Sequence, residues 1–223
     1  KAADGFIASQ RRIPDALSLT IDERKQRGIA MEGYWTRQST NTRDRATAMM
    51  PRMLYDRLDE LGIDFGVIYP TAGLSIPRIA DDETRRAVVR GFNIVTHEYF
   101  AKLSDRLTPA AVIPMFTPEE AIAELEFCTK ELGTKVGMFG GGIPRRIPMA
   151  KDLDTALGRF AVTYENLGID SEHDYDQVWQ KCRELLIAPT FHAGGRGFGL
   201  RNSPSNFTFN HIGHFAAAGH SIA

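Results

Sequence analysis

The chain alternates between stretches with helical apolar spacing and short runs that are apolar throughout. Leu54, Leu58 and Leu61 recur at i, i+4 and i+7, one face of a helix that Gly62 would end. The run Phe65–Tyr69, bounded by Pro70, reads as a strand buried on both faces. Asp81, Asp82 and Glu83 open a second helix, since acids suit the positive end of the helix dipole. Val88, Phe92, Val95, Tyr99 and Leu103 predict its apolar stripe. Ala110–Ile113, closed by Pro114, is the second strand. Thr117-Pro-Glu-Glu120 is a capping box with proline at the first helical position, and its helix should run to about Leu132 before Gly133 stops it. Lys135–Phe139 is the third strand and Gly140–Gly142 its exit turn. An excursion follows, with a helix expected near Leu153–Asn166. Asp174 and Asp176 then open a helix carrying Val178, Cys182 and Leu185 on one face. Ile187–His192 is the fourth strand, which Pro189 should shorten to Thr190–Phe191.

Helix and strand thus alternate four times, the signature of an α/β protein with a parallel sheet. The sheet is either open and doubly wound or part of a (β/α)8 TIM barrel. A whole barrel takes eight strands and about 250 residues. The chain has 223 residues and shows four strands, so a partial barrel is expected. Residues 1–48 are polar and irregular, with one short helix around Ile21–Gly28, and read as an N-terminal arm or insertion. Residues 49–223 are the expected partial barrel domain. A first residue Lys1 and a last residue Ala223 within a helical pattern predict an internal segment of a longer protein.

Composition narrows the partners. The 27 Lys+Arg balance 28 Asp+Glu, a net charge of −1, which gives no general attraction to nucleic acid or anionic membranes. No apolar run reaches the roughly 18 residues of a bilayer span, and no signal pattern opens the chain. The two cysteines, Cys128 and Cys182, fall inside helical patterns and cannot make a multi-disulfide scaffold. A reducing compartment, the cytoplasm, is expected. The expected partner is a small-molecule substrate.

In either architecture chemistry gathers at the carboxyl ends of the strands. That singles out Tyr69, Thr71, Met115, the Gly140–Gly142 turn and His192. His192 ends a strand just before a glycine-rich turn, where an imidazole can meet a metal or a substrate proton; the alternative is a core histidine bonded to a carbonyl. From Leu185 to Ala223 there is no Asp or Glu, while four of the six histidines and two arginines lie there. Arg196, Arg201 and His211 are therefore candidates for holding a substrate carboxylate, against the plainer reading of arginines paired with acids elsewhere. His211 and His214, at i and i+3, could share a metal but lack the glutamate of a zinc-protease motif. The run Gly195–Gly199 has the spacing G-x-G-x-G and no acid after it to hold a ribose, which argues against a nicotinamide-dependent enzyme. Arg43, Arg45, Arg145 and Arg146 read as surface or salt-bridge residues, and Cys182 as core.

The ordered set Tyr55–Pro70, Arg90-Gly-Phe-Asn93, Pro109–Pro114, Thr117–Ala121 and Pro189-Thr-Phe-His192 resembles the amidohydrolase superfamily. It is most similar to the branch around aminocarboxymuconate-semialdehyde decarboxylase. The resemblance implies a barrel with a divalent metal, usually zinc, held by an H-x-H pair after strand one, a histidine after strand five and an aspartate after strand eight. It maps His192 onto the strand-five ligand and makes the four strands numbers two to five. No H-x-H occurs in this chain. The implied parent is an enzyme: a metal-dependent hydrolase acting on a small, carboxylate-bearing substrate, or alternatively a metal-dependent decarboxylase. This segment alone is expected to be inactive, and a metal-less, non-catalytic barrel segment is a further alternative. Members of the family are often dimers, so a homodimer using the N-terminal arm is expected.

Overall fold

The computed structural model describes residues 19–27, 41–150, 161–165, 167 and 171–192. The chain divides into two compact units. In the first, the described residues form helix α1 (Ile21–Arg27). A reciprocal capping box starts it: the Glu23 N–H donates to the Thr20 hydroxyl, and the Thr20 N–H donates to the Glu23 carboxylate. This is the short helix expected around Ile21–Gly28.

The second unit holds the α/β body. Its helices are α2 (Thr42–Met49), α3 (Pro51–Asp56), α4 (Asp82–Phe100), α5 (Pro118–Lys130) and α6 (Asp176–Leu185). Its strands are β1 (Gly66–Ile68), β2 (Leu107–Pro109), β3 (Ala111–Val112), β4 (Val136–Phe139), β5 (Ile143–Arg146), β6 (Val162–Glu165) and β7 (Ala188–Phe191). The four apolar runs of the sequence are therefore strands, and all are parallel: β1 pairs with β2, β3 with β4, and β4 with β7. Successive parallel runs are neighbours in the sheet with α4, α5 and α6 between them, and the β5–β6 pair is inserted between β4 and α6.

β2 and β3 are two halves of one extended run that changes partner at Ala110. The Ala110 N–H donates to the Ile68 carbonyl on one side and the Ile113 N–H to the Met138 carbonyl on the other. Alternate residues of a parallel strand serve opposite neighbours. Pro109 belongs to the β4-facing set and has no N–H to give, and pairing with β4 begins only at Ala111. Pro189 causes no such loss. Ala188 and His192 donate to the Lys135 and Phe139 carbonyls, so the donor Pro189 lacks points away from β4. β7 accordingly runs over Ala188–Phe191, longer than the two residues expected.

The core lies between the sheet and α4, α5 and α6. Ile113, Leu125, Cys128, Phe139, Val178 and Cys182 form its centre. Thr117 caps α5 with its side chain, and Gly133 takes the left-handed conformation (φ 65°) that ends that segment, both as the sequence indicates.

Three expectations fail. Of the stripe Val88, Phe92, Val95, Tyr99 and Leu103, Phe92 packs on the core and Leu103 is buried, but Val95 is 46% and Tyr99 68% exposed, and Val88 is exposed too. The inward face carries Arg85, Val89, Asn93 and Phe100. Two polar residues sit where the apolar pattern should be, and the pattern is misread by about one residue. Secondly, the helix expected over Leu153–Asn166 is contradicted at Val162–Glu165, which is strand β6, antiparallel to β5. β-Branched Val162 and Thr163 favour that state, and Arg145 pairs with Glu165 across the hairpin at 2.8 Å. Thirdly, α3 stops at Asp56, and Leu58 is buried from a tight turn that ends at Gly62 (φ 68°). α2 was not signalled by any apolar stripe. Asn41 caps it, and Arg57 fastens it to the next segment by bonding Asp44 and Thr47.

Candidate functional site at the carboxyl ends of the strands

Parallel pairing puts the carboxyl ends of β1, β3, β4 and β7 on one side of the sheet. A small cavity of about 30 Å³ opens there. Its walls include Leu74 and Arg78 after β1, Met115 and Phe116 after β3, Gly140 and Gly142 after β4, and His192 after β7. Of the residues singled out from the sequence, Met115, Gly140, Gly142 and His192 line this cavity. Tyr69 stands at its edge with its ring 5.9 Å from that of His192. Thr71 opens a 3-10 turn (Thr71–Leu74), is exposed, and does not line it.

His192 is held by its backbone N–H, which donates to the Phe139 carbonyl at 3.1 Å. Its ring is half-buried, and Nδ1 is fully buried without a hydrogen-bond partner among the described residues. Burial holds the imidazole below the usual histidine range, so the ring is neutral near pH 7. A neutral ring nitrogen in a strand-end cavity is suited to ligate a metal or to bond a substrate.

Two polar networks fix the loops around the cavity. Behind β1, Arg85 is 1% exposed and makes a two-pronged contact with Glu120 at 2.8 and 2.9 Å. It also donates to the Ile79 carbonyl and lies 3.6 Å over the Phe116 ring. One guanidinium thus ties the loop after β1 to the start of α5. Glu120 spends its carboxylate here, so only the threonine half of the capping box forms. On the other side the Tyr175 hydroxyl donates to the Met115 carbonyl at 2.8 Å and accepts from Arg145 at 3.1 Å. Burial pushes the Tyr175 phenol up to about 12, which keeps it a donor. Burial alone would raise the Glu165 carboxyl, but Arg145 and Ser171 outweigh it and hold Glu165 below the usual carboxylate range. Arg145 is the salt-bridge residue it was expected to be.

Asn93 does the same for the second strand. β1 ends at Ile68, so Val112, paired with β4 on one side, has no strand on the other. The Asn93 amide takes the strand's place: Oδ1 accepts from the Val112 N–H at 2.8 Å and Nδ2 donates to the Val112 carbonyl at 2.9 Å. Nδ2 also reaches Glu124 at 2.8 Å, and Arg90 holds the other oxygen of Glu124.

Arg196, Arg201, His211 and His214 lie outside the described residues. The sequence reading missed Arg78, which the turn Ile76–Arg78 brings to the cavity. Its signal was an arginine in the loop directly after a strand.

No family model and no curated protein matches this chain. Solved structures do. A 5-carboxyvanillate decarboxylase from Novosphingobium aromaticivorans, with bound manganese and 3-methoxy-4-hydroxy-5-nitrobenzoic acid, is 15% identical with a TM-score of 0.52 over 91% of this chain and 55% of its own. A Staphylococcus aureus protein assigned as an amidohydrolase is 16% identical with a TM-score of 0.51, over 77% and 51%. A 2,6-dihydroxybenzoate decarboxylase from Rhizobium is 21% identical with a TM-score of 0.48, over 77% and 46%. The likeness is one of fold. The Staphylococcus aureus protein bears the amidohydrolase name that the sequence resemblance points to. The chain spans about half the length of these neighbours.

Among the described residues, no three His, Cys, Asp or Glu side chains converge as a metal site would require. His192 alone offers a suitable donor in the cavity, and one imidazole does not hold a divalent ion. The described residues are thus not a metal centre by themselves. Among them, no helix is long and apolar enough to cross a membrane.

Proposed function

We propose that this chain is the strand-two to strand-five segment of a (β/α)8 decarboxylase that uses a divalent metal and acts on a small aromatic carboxylic acid. The observation that carries the reading is His192: a neutral, half-buried imidazole at the end of the fourth parallel run, with Nδ1 buried and unpartnered among the described residues. A fold shared with a manganese-bound carboxyvanillate decarboxylase gives that position its meaning. The hydrolase expected first from the sequence is the second reading, favoured by the likeness to the Staphylococcus aureus amidohydrolase. Zinc gives way to manganese as the first metal to test.

In this reading His192 is one metal ligand, and the other ligands come from outside the described residues. The unfinished sheet supports a larger barrel: Phe65 and Val67, on one face at β1, are exposed, as apolar residues are where a neighbouring element belongs. The described residues supply the walls. Phe139 is one wall of the cavity, and it packs ring on ring with Trp179 and Phe191 at 5.5 to 5.8 Å.

The test is product analysis. The gene's whole product, loaded with manganese, is incubated with hydroxybenzoic acids and, separately, with amide, ester and lactone substrates. Carbon dioxide release from the acids is expected. Hydrolysis without carbon dioxide release would move the assignment to the hydrolase, and neither activity would leave a non-catalytic barrel segment.

A further inference from the structure

We propose that Phe116 is the wall against which the ring of the aromatic acid lies, and so the residue that selects an aromatic over an aliphatic acid. The assignment deepens the reading of this mouth as the site for a small aromatic carboxylic acid and rests on it.

Three observations converge. First, the room between the described walls is about 30 Å³, enough for one or two waters, whereas an apolar cavity that takes benzene is about 150 Å³. A ring bound here therefore meets the walls where they keep an exposed surface, not between them. Ile113, Met115, Met138 and Phe139 line the cavity but are at most 4% exposed. Phe116 is half-buried, so of the two phenyl rings in the described lining it is the one a ligand can touch.

Second, that ring is held from both sides of the cavity. The guanidinium carbon of Arg85 lies 3.6 Å from its centroid and that of Arg145 5.6 Å. Neither guanidinium is loose. Arg85 gives its donors to Glu120, Asp82 and the Ile79 carbonyl, and Arg145 is bonded to Glu165 and Tyr175. The two polar networks around the mouth thus meet at one phenyl ring, and cations beside a ring are attracted by its π-system. Third, the backbone on either side of Phe116 is fixed. The Met115 carbonyl accepts from the Tyr175 hydroxyl, and the Thr117 side chain caps α5. An aromatic side chain has only two torsions to order. With its neighbours committed in this way, Phe116 loses little freedom when a ligand arrives, which is what preorganisation contributes to affinity. Contact between two rings adds to the burial of apolar area a preference of about two- to tenfold.

The test uses benzoate and cyclohexanecarboxylate as probes, with the same charge and the same number of carbons but only one of them aromatic. Calorimetry gives the affinity of the gene's whole product for each, and the quantity read is the ratio of the two. Phe116→Leu, which keeps an apolar side chain, should lower the ratio of benzoate to cyclohexanecarboxylate affinity by about two- to tenfold. Phe116→Tyr, which keeps the ring, should leave it unchanged. A residue that served the fold alone would weaken both probes together and leave the ratio in place. Should Phe116→Leu not fold, the unmodified protein carrying 13C-labelled phenylalanine gives the answer by NMR, where intermolecular NOEs from bound benzoate to the Phe116 ring are expected. Benzoate that does not bind, a ratio unchanged in Phe116→Leu, or NOEs that reach other phenylalanines and not Phe116 would each overturn the assignment. Carbon dioxide release is read separately. If it is absent while the ratio still depends on Phe116, the reaction is wrong and the aromatic wall stands; if it is present and the ratio is indifferent to Phe116, the wall alone is removed.

Discussion

Replacing Asn93 with leucine should unlatch the second strand from the helix behind it. The two side chains have the same number of heavy atoms, so the change removes polarity more than bulk. Three hydrogen bonds go: those to the Val112 N–H and carbonyl, and that to Glu124. Val112 is fully buried and has no strand on that side to replace them. Each buried group left without a partner costs about 1–3 kcal/mol, more where a charge is involved. The sum over three is about 3–9 kcal/mol, a large fraction of the roughly 5–15 kcal/mol that holds a domain folded. With a urea dependence of about 1–3 kcal/mol per molar, the unfolding midpoint should fall by at least about 1 M. Circular dichroism in urea measures the midpoint, and hydrogen exchange at the Val112 amide localises the loss. A midpoint unchanged within about 0.3 M, with that amide still protected, would show that the asparagine does not serve as a substitute strand.

Arg85→Met should destabilise by about 3–5 kcal/mol because it leaves Glu120 buried without its partner. Arg85→Met combined with Glu120→Met should cost less than the sum of the single changes, and a double-mutant cycle by denaturant unfolding checks this. Gly73→Ala should cost about 1–3 kcal/mol, since its Cβ meets Val112 at 2.6 Å and Phe92 at 3.2 Å; a thermal melt with an unchanged midpoint would count against the packing described. Cys128 and Cys182 are buried, and burial pushes the Cys182 thiol up to about 11 and that of Cys128 higher still. Neither should react with Ellman's reagent at pH 8 in the folded protein, and both should react in guanidinium; prompt labelling of the native chain would contradict their burial.

The strands were legible because each is a short apolar run closed by proline or glycine, a pattern that parallel pairing with both faces covered produces directly. The face of α4 was not. Arg85 and Asn93 occupy its inward side, and single-sequence periodicity cannot know that a buried arginine will find Glu120 or that an asparagine will complete a strand. The hairpin β5–β6 was missed for a related reason: what stabilises it is the pairing of Arg145 with Glu165 and Tyr175, which are remote in sequence. At the site, His192 was legible from its place at a strand end. Arg78 was not, because its relevance depends on a 3-10 turn that folds it back over the sheet. Composition could suggest a carboxylate as ligand, but it directed attention to the acid-free tail, outside the described residues. The order of the two enzyme readings also changed. Sequence resemblance put hydrolysis first, and the proposal puts decarboxylation first.

Manganese binding by the gene's whole product, with and without His192, tests the central claim most directly. Free Mn2+ gives a six-line EPR signal that is lost on binding, so the bound ion can be counted per chain during a titration. The account predicts about one tightly bound ion per chain in the native protein and at least a hundredfold weaker binding in His192→Ala, with unfolding in urea little changed. Binding that is absent from the native protein, or equally tight in the variant, would contradict it.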